Sequence, residues 1–398
     1  MTIFFESQIY PDSLMATYAA KSKVILDYAA HNLCKAIYTG LKENGATVRL
    51  VNVPNIGSYP FLYKSPRVAG AQMEGGISLP FWNISLLKRH DIRRRIGNSI
   101  RKELNRQPDG ERSVLVLYNY RSLPLLPALK HQYPDLKVIL LITDLPEFML
   151  RPTGTLFKVA GGKYSGNTLH KAEYFNYVDG YVLLAPAMRE RLPVGEKPWI
   201  QVEGIYNSDT PIDEQPKEGY KTILYTGNLG LRYGIGTLLE AFHKIPSSDY
   251  RLWICGGGDG LAEVQRYGAM DNRIIYKGIL PRKDVLQLQA RATVLVNPRN
   301  SEDEYTRYSF PSKTMEYLAS GTPVVMSHLQ SIPHEYDDHI YYIDNETTEG
   351  MRDKLIEVCA KSAVELSIFG KEASSFIYKW KTPAAQTAKI LNLINTLY

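Results

Sequence analysis

Tyr308-Ser309-Phe310-Pro311-Ser312-Lys313-Thr314-Met315-Glu316-Tyr317-Leu318-Ala319-Ser320-Gly321-Thr322-Pro323-Val324-Val325 is the stretch of this chain that says most about its fold. Its middle reads as a short helix, Lys313–Ser320, with Ser312 as N-cap and Gly321 as the C′ residue that ends it. The apolar run Pro323–Met326 then reads as a buried strand. Free N–H groups at the helix start, the positive end of the helix dipole and Lys313 would together hold an anion. Glu316, one turn further in, is placed to accept hydrogen bonds from paired hydroxyls such as those of a ribose. One short helix would then hold a pyrophosphate and a sugar. The plainer alternative is a capped surface helix.

Upstream, the same alternation repeats. Strand Thr222–Thr226 leads to a helix near Thr237–Lys244, and strand Arg251–Cys255 to a helix near Leu261–Tyr267. Strand Ile274–Lys277 precedes a helix over Lys283–Arg291, and strand Val294–Asn297 precedes Lys313–Ser320. Repeated β-α units of this length describe a doubly wound, Rossmann-like domain closing at Pro323–Met326. Two loops follow strand ends, where ligands bind in such sheets. Gly227-Asn228-Leu229-Gly230-Leu231-Arg232-Tyr233-Gly234 lets backbone approach a ligand, with Arg232 available to a phosphate. Gly256-Gly257-Gly258-Asp259-Gly260 can turn N–H groups toward a bound group. Either loop can equally be a plain strand-to-helix turn. The spacing is not G-x-G-x-x-G, so a nicotinamide fingerprint is absent.

The first half carries apolar runs at Ile3–Phe5, Val48–Val53, Val114–Leu117, Val138–Ile142 and Tyr181–Leu184. A helical stretch from Tyr28 to Lys42 sets Leu33, Ile37 and Leu41 on one face. Continuous apolar runs predict a second parallel sheet covered by helices. Between the halves, Asn207–Lys221 is polar and acidic, as a linker would be. The expected division is 1–205, a linker at 206–221, a second domain at 222–375, and a C-terminal segment at 376–398.

With 398 residues, 44% of them apolar and 22% charged, the chain is an ordinary globular mixture and not a disordered one. No run reaches the roughly 20 apolar residues of a spanning helix. The opening residues lack the basic and apolar regions of a secretion signal. Three distant cysteines argue against a disulfide framework and for a reducing compartment, so a cytoplasmic protein is expected. The net charge is +6, and Lys88–Arg106 alone carries eight basic against two acidic residues, an excess equal to that of the whole chain. It follows the apolar residues Leu79, Phe81, Trp82, Leu86 and Leu87. A helix over 81–106 lying on an anionic membrane surface, at the inner face of the cell membrane, is one reading. A solvated face whose apolar side packs on its own domain is another. Nucleic acid is disfavoured because no stacking platform accompanies the charge.

At these residues the chain resembles glycosyltransferases of the two-domain GT-B fold, and most of all the family-4 retaining enzymes of bacterial polysaccharide assembly. The likeness is closest from Thr222 to Tyr342. Its strongest part is Glu316 followed by Tyr-Leu-Ala-Ser-Gly-Thr-Pro-Val-Val, which is similar to the end of the family's E-x7-E region. The resemblance implies an α/β protein with two Rossmann-like doubly wound domains facing a cleft, and a final helix after Trp380 that crosses back to the first domain. It implies transfer of a sugar from a nucleotide-diphosphate sugar to a hydroxyl of a saccharide or polyprenyl-linked saccharide acceptor, in cell-surface polysaccharide biosynthesis and with retention.

By the same resemblance Glu316 would bind the nucleotide ribose, and the backbone around Phe310 to Lys313, Ser312 included, would face the diphosphate, with Ser309 also on the donor side. Gly227 and Asn228 match the family's first phosphate loop, Gly256 and Gly257 its next strand-end turn, and Ile279 the nucleobase pocket. Ile142-Thr143-Asp144-Leu145-Pro146 is similar to the family's stretch facing the donor sugar, and the acceptor hydroxyl would enter near Asp144, a catalytic candidate, and the Asn119-Tyr120-Arg121 loop. Tyr308 stands where the family has the first glutamate of E-x7-E. Asn228 and Tyr233 stand where it has the Arg and Lys of the phosphate loop, and Thr143 where many members have histidine. Arg232 and Lys313 are then the cations left to stabilise charge on the leaving β-phosphate, with no metal required. Neither a D-x-D motif nor a histidine cluster is visible in the sequence. Two other readings share the fold, a catalytically silent partner subunit and a nucleotide-sugar epimerase.

Overall fold

Ile3, Phe4 and Phe5 have no exposed surface, and such burial on both faces marks the interior strands of a covered parallel sheet. The computed structural model describes residues 1–108, 110–145, 172–207 and 215–398. Pro146 and residues 208–214 of the expected linker lie outside the described residues. The chain divides into two units, 1–207 together with 383–398, and 208–382.

The strands of the first unit are β1 (Thr2–Ser7), β2 (Thr47–Asn52), β3 (Arg67–Val68), β4 (Ala71–Met73), β5 (Gly76–Ser78), β6 (Phe81–Trp82), β7 (Ser113–Tyr118), β8 (Lys137–Ile142), β9 (Gly180–Leu183) and β10 (Trp199–Gln201). Its main sheet runs β10-β9-β8-β7-β1-β2-β5-β4. Neighbours are parallel except β4 and β5, while β3 and β6 form a separate antiparallel pair. The helix Ser85–Leu104 buries Ile92, Ile96, Ile100 and Leu104, four-residue spacing that seats its apolar stripe on its own unit.

The last helix, Pro383–Asn395, packs against the helix Tyr28–Glu43. Gly40 makes that contact work, because a Cβ there would sit 2.1 Å from the Pro383 carbonyl oxygen. Asn44 Nδ2 ties the two helices together, donating to Ala384 O at 2.8 Å and Thr387 Oγ1 at 3.0 Å. The chain changes unit between Thr382 and Pro383. The boundary expected after 375 instead falls inside the helix Ala363–Trp380.

The second unit holds β11 (Lys221–Asn228), β12 (Tyr250–Gly257), β13 (Ile274–Gly278), β14 (Val294–Asn297), β15 (Val324–Ser327) and β16 (Tyr341–Ile343). All neighbours are parallel, in the order β13-β12-β11-β14-β15-β16. The sequence expectation ended this sheet at β15; β16 extends it by three residues too few to show a pattern. The chain builds outward from β11 to β13, then returns to the other side of β11 at β14. Strand order reverses there, and the carboxyl ends of β11 and β14 form the switch point where open α/β sheets bind ligands.

Candidate functional site

Thr226, next to the end of β11, is clamped by the helix Lys313–Ala319. Its backbone N–H donates to the Tyr317 hydroxyl at 2.7 Å, and that hydroxyl donates back to Thr226 O at 2.9 Å. Tyr317 is 1% exposed, so the pair anchors the helix at the switch point. Glu316, the preceding residue, therefore sits beside the same strand end. Its Oε1 accepts from Lys313 Nζ at 2.7 Å and Gln289 Nε2 at 2.9 Å, and Arg282 Nε lies 3.6 Å from Oε2. Burial pushes the Glu316 carboxyl up, but Lys313, Gln289 and Arg282 together outweigh it and hold the group below the usual carboxylate range. Glu316 is thus an ionised acceptor at neutral pH. Gln289 also reaches Thr226 Oγ1 at 3.2 Å, and its own Oε1 is buried with no hydrogen-bond partner among the described residues.

The two glycine loops lean on one another. Gly256 has φ +133°, and a Cβ there would fall 1.8 Å from Gly227 O. Asn228 turns its side chain back into its own loop, where Oδ1 accepts from Gly230 N at 2.9 Å. Tyr276, whose hydroxyl donates to Gly256 O at 2.8 Å, brings the end of β13 against the end of β12. Ile279, just beyond, is 79% exposed, an apolar surface over Gly257 of the kind a base can lie on.

Arg232 belongs to an aromatic cluster that the sequence did not suggest. Its guanidinium lies 4.7 Å from the Tyr233 ring centroid and 5.1 Å from that of Tyr305, while Arg299 faces the same rings at 5.0 and 5.9 Å. Tyr305 closes the loop by donating from its hydroxyl to Arg232 O at 3.0 Å. The rings fix two planar cations without neutralising them. Arg299 follows β14 at the switch point, and that position was the available sequence signal for it. Gln289 and Arg282 gave none, being brought to Glu316 only by the packing of the helix Arg282–Arg291.

Several expectations change. Ser312 does not cap its helix: its backbone is itself helical (φ −52°, ψ −27°) and its side chain makes no cap hydrogen bond. The Tyr308 ring is buried at 2% exposure. Phe310 is also buried, its ring 5.7 Å from that of Tyr336, and Ser309 offers its carbonyl to Ser331 Oγ at 3.1 Å. Gly321 does end the helix in the left-handed region, with φ +72°. His328, His334 and Asp337, which span only ten positions, bring ligand atoms within 4.8 Å of one another, but all three are exposed and Asp337 already accepts from the Tyr342 hydroxyl at 2.9 Å.

Asp144 lies in the first unit, beyond the carboxyl end of β8. Thr143 Oγ1 approaches its Oδ2 at 3.3 Å, and the Tyr120 hydroxyl donates to its carbonyl at 3.1 Å. Asn119, at φ +62°, receives the Thr143 N–H on its Oδ1 at 3.1 Å and so fixes this loop.

Residues 220–361 match the model of the family glycosyl transferases group 1. This match falls within the second unit and covers most of it. No curated protein sequence matches the chain. Among solved structures the chain is similar to sucrose-phosphate synthase of Thermosynechococcus elongatus, at 15% identity and TM-score 0.61, covering 100% of this chain and 99% of that one. It is similar to trehalose-6-phosphate from E. coli bound with UDP-2-fluoro glucose, at 11% identity and TM-score 0.63, covering 99% of each. A lipopolysaccharide outer core galactosyltransferase in its apo form matches at 14% identity and TM-score 0.59 over 100% of both chains. These likenesses establish the fold, GT-B, with two Rossmann-like units. The family match over residues 220–361 and the shared GT-B fold support a glycosyltransferase.

Proposed function

We propose that this glycosyltransferase moves a sugar from a nucleotide-diphosphate sugar to a hydroxyl of a glycan or lipid-linked saccharide, with retention, in cell-surface polysaccharide biosynthesis. The observation that carries the reading is Glu316, an ionised and largely enclosed carboxylate beside a strand end, adjacent to Lys313. A carboxylate there accepts two vicinal hydroxyls of a ribose, and an ammonium one turn earlier meets the diphosphate. Bound UDP-2-fluoro glucose in one structural relative and the galactosyltransferase activity named for another support a nucleotide-sugar donor.

Charge that develops on the β-phosphate as the sugar leaves is stabilised by Lys313 and by Arg232 and Arg299, held by Tyr233 and Tyr305. Cations fixed before the reaction need no reorganisation during it, which is where such groups gain their effect. This charge set does the work a divalent metal does elsewhere, so no metal is part of the reading. The acceptor belongs to the first unit, with Asp144 positioned by Thr143 and Tyr120 as the group that orients its hydroxyl. In a same-face displacement the departing phosphate takes the acceptor proton. Contact with an anionic membrane through 81–106 would bring a polyprenyl-linked acceptor within reach, at the inner face of the cell membrane.

The test is a thermal-shift screen of UDP-, ADP- and GDP-sugars, since a ligand that binds only the folded chain raises its melting temperature by mass action. A donor that stabilises the wild type and not Glu316→Ala supports the reading. Equal stabilisation of both by every donor overturns the role of Glu316.

A further inference from the structure

We infer that the membrane contact of this chain is a single apolar tip, built from three stretches of the first unit, and not the arginine face of the helix Ser85–Leu104. The inference rests on the membrane reading above and changes which residues carry it. Arg93, Arg94 and Arg95 already have partners within the unit, although Arg94 stays 60% exposed. Arg93 Nε donates to Arg121 O at 3.2 Å, and its Nη2 is buried. Arg95 Nε donates to Asp91 at 2.8 Å, and Arg94 reaches the same carboxylate at 3.4 Å. Residues 92, 96, 100 and 104 bury the apolar stripe, so the helix cannot turn it toward a bilayer without unfolding from its sheet.

The exposed apolar surface lies elsewhere. Ile25 and Leu86 are each 89% exposed, Phe61 60% and Leu87 55%, with Val24, Trp82 and Ile84 also exposed. They come from stretches 13–26, 56–73 and 82–90, which the backbone stitches together. Lys23 N donates to Leu62 O at 3.0 Å and Lys64 N to Lys21 O at 2.9 Å. Tyr59 N donates to Asn83 O at 3.0 Å and Asn83 N to Pro66 O at 2.7 Å. Large apolar side chains gathered at one surface mark an interaction site.

Charge decides the occupant. The three stretches carry Lys21, Lys23, Lys64, Arg67 and Arg89 toward this surface, while Lys88 turns its ammonium inward to Ile56 O. Of the acids that adjoin them, Glu74 pairs with Lys42, Asp91 with Arg94 and Arg95, Asp27 caps its helix, and Asp12 stands in the first turn of its helix. Arg67 lies 5.7 Å from the Trp82 ring, and a cavity of about 550 Å³ lined by Tyr18, Tyr63, Pro80 and the cations Lys21 and Arg67 opens between two of the stretches. Apolar side chains that enter the acyl region, ringed by cations at headgroup level, fit a bilayer containing anionic lipid. A protein partner would need acidic residues matched to each cation, whereas a lipid surface supplies them everywhere.

The experiment is flotation of the full chain with vesicles of phosphatidylcholine alone and with 30% phosphatidylglycerol, comparing wild type, Ile25→Glu/Leu86→Glu and Arg94→Glu. The expected result is flotation of wild type and Arg94→Glu with anionic vesicles only, and at least about a tenfold lower bound fraction for the double variant. Both substituted sites are exposed, and unchanged far-UV circular dichroism confirms the fold. A wild type that does not float overturns the membrane reading itself. A wild type that floats while the double variant floats equally leaves that reading standing and overturns the apolar tip, as does loss of flotation confined to Arg94→Glu. Equal flotation on both vesicle types removes the charge selectivity.

Discussion

Lys313 Nζ lies 2.7 Å from Glu316 Oε1, on the same oxygen that accepts Gln289 Nε2 at 2.9 Å. The cation assigned to the phosphate thus neutralises the carboxylate assigned to the ribose. On the proposed function, donor binding would replace one charge-assisted contact with two, carboxylate to ribose hydroxyls and ammonium to phosphate. That exchange conserves the pairing of each charge, which a largely enclosed site demands.

Glu316→Ala should therefore weaken donor binding by about tenfold to a hundredfold, the usual worth of a hydrogen bond to a charged group. Isothermal titration with the donor found in the thermal-shift screen measures it. Glu316→Gln should fall between wild type and alanine, since an amide still accepts one hydroxyl.

Lys313→Ala should act on turnover more than on binding. A cation that meets charge formed only as the sugar leaves contributes about 2–4 kcal/mol in the transition state, so kcat should fall by about thirtyfold to a thousandfold with a small change in KM. Steady-state rates of sugar transfer to acceptor, with donor saturating, give the two constants separately. An unchanged kcat would assign the charge stabilisation to Arg232 and Arg299 alone.

How much of this was legible in the sequence depended on the range of the interaction. Strand β14 matches its expected span, Val294–Asn297, where the buried run Val294, Leu295 and Val296 ends on Asn297 just before Pro298. Glu316 and Lys313 were legible because a helix sets residues three apart side by side. Gln289 is 27 positions from Glu316, and only tertiary packing joins them. Strands β3 to β6 are two or three residues long, too short for any period to show. Ser312 has the chemistry of a cap, but the chain enters the helix with Ser312 already in helical conformation, so its hydroxyl never faces the free N–H groups. The basic segment 81–106 was legible as charged and apolar, while the division of its arginines between core and solvent was not.

Stability should carry a pH signature from Glu6, a 1%-exposed carboxylate on β1 whose Oε2 has no hydrogen-bond partner among the described residues. Burial pushes its carboxyl from 4.5 up to about 7, against the pull of Arg121, Ser122 and Arg93. A folded value above the unfolded one means stability fully present below the unfolded value and lost as pH rises through the folded one. The window therefore runs from about 4.5 to about 7. Glu6→Gln removes the titration, so the variant should gain on wild type across that window, by about 3 kcal/mol above it. Urea unfolding of both chains at a series of pH values checks it, and a wild type that gains on the variant as pH rises would contradict the burial argument.

Gly256→Ala should separate architecture from chemistry. The added Cβ would meet Gly227 O at 1.8 Å, and φ +133° is a conformation that a side chain disfavours on its own account. The two strand ends must part, which moves Gly227 and the loop that carries Arg232. Overpacking of this kind costs about 1–3 kcal/mol in stability. The donor should bind more weakly as well, because the N–H groups of both loops shift together. Gly258 offers the comparison: a Cβ there meets Asn228 Oδ1 at 2.7 Å and Leu229 C at 2.8 Å, within the first loop and away from the Gly227 carbonyl. Both alanines should lower the melting temperature. Only Gly256→Ala should displace β11 from β12, a change that amide hydrogen exchange at Thr226 to Asn228 would register as lost protection relative to Gly258→Ala.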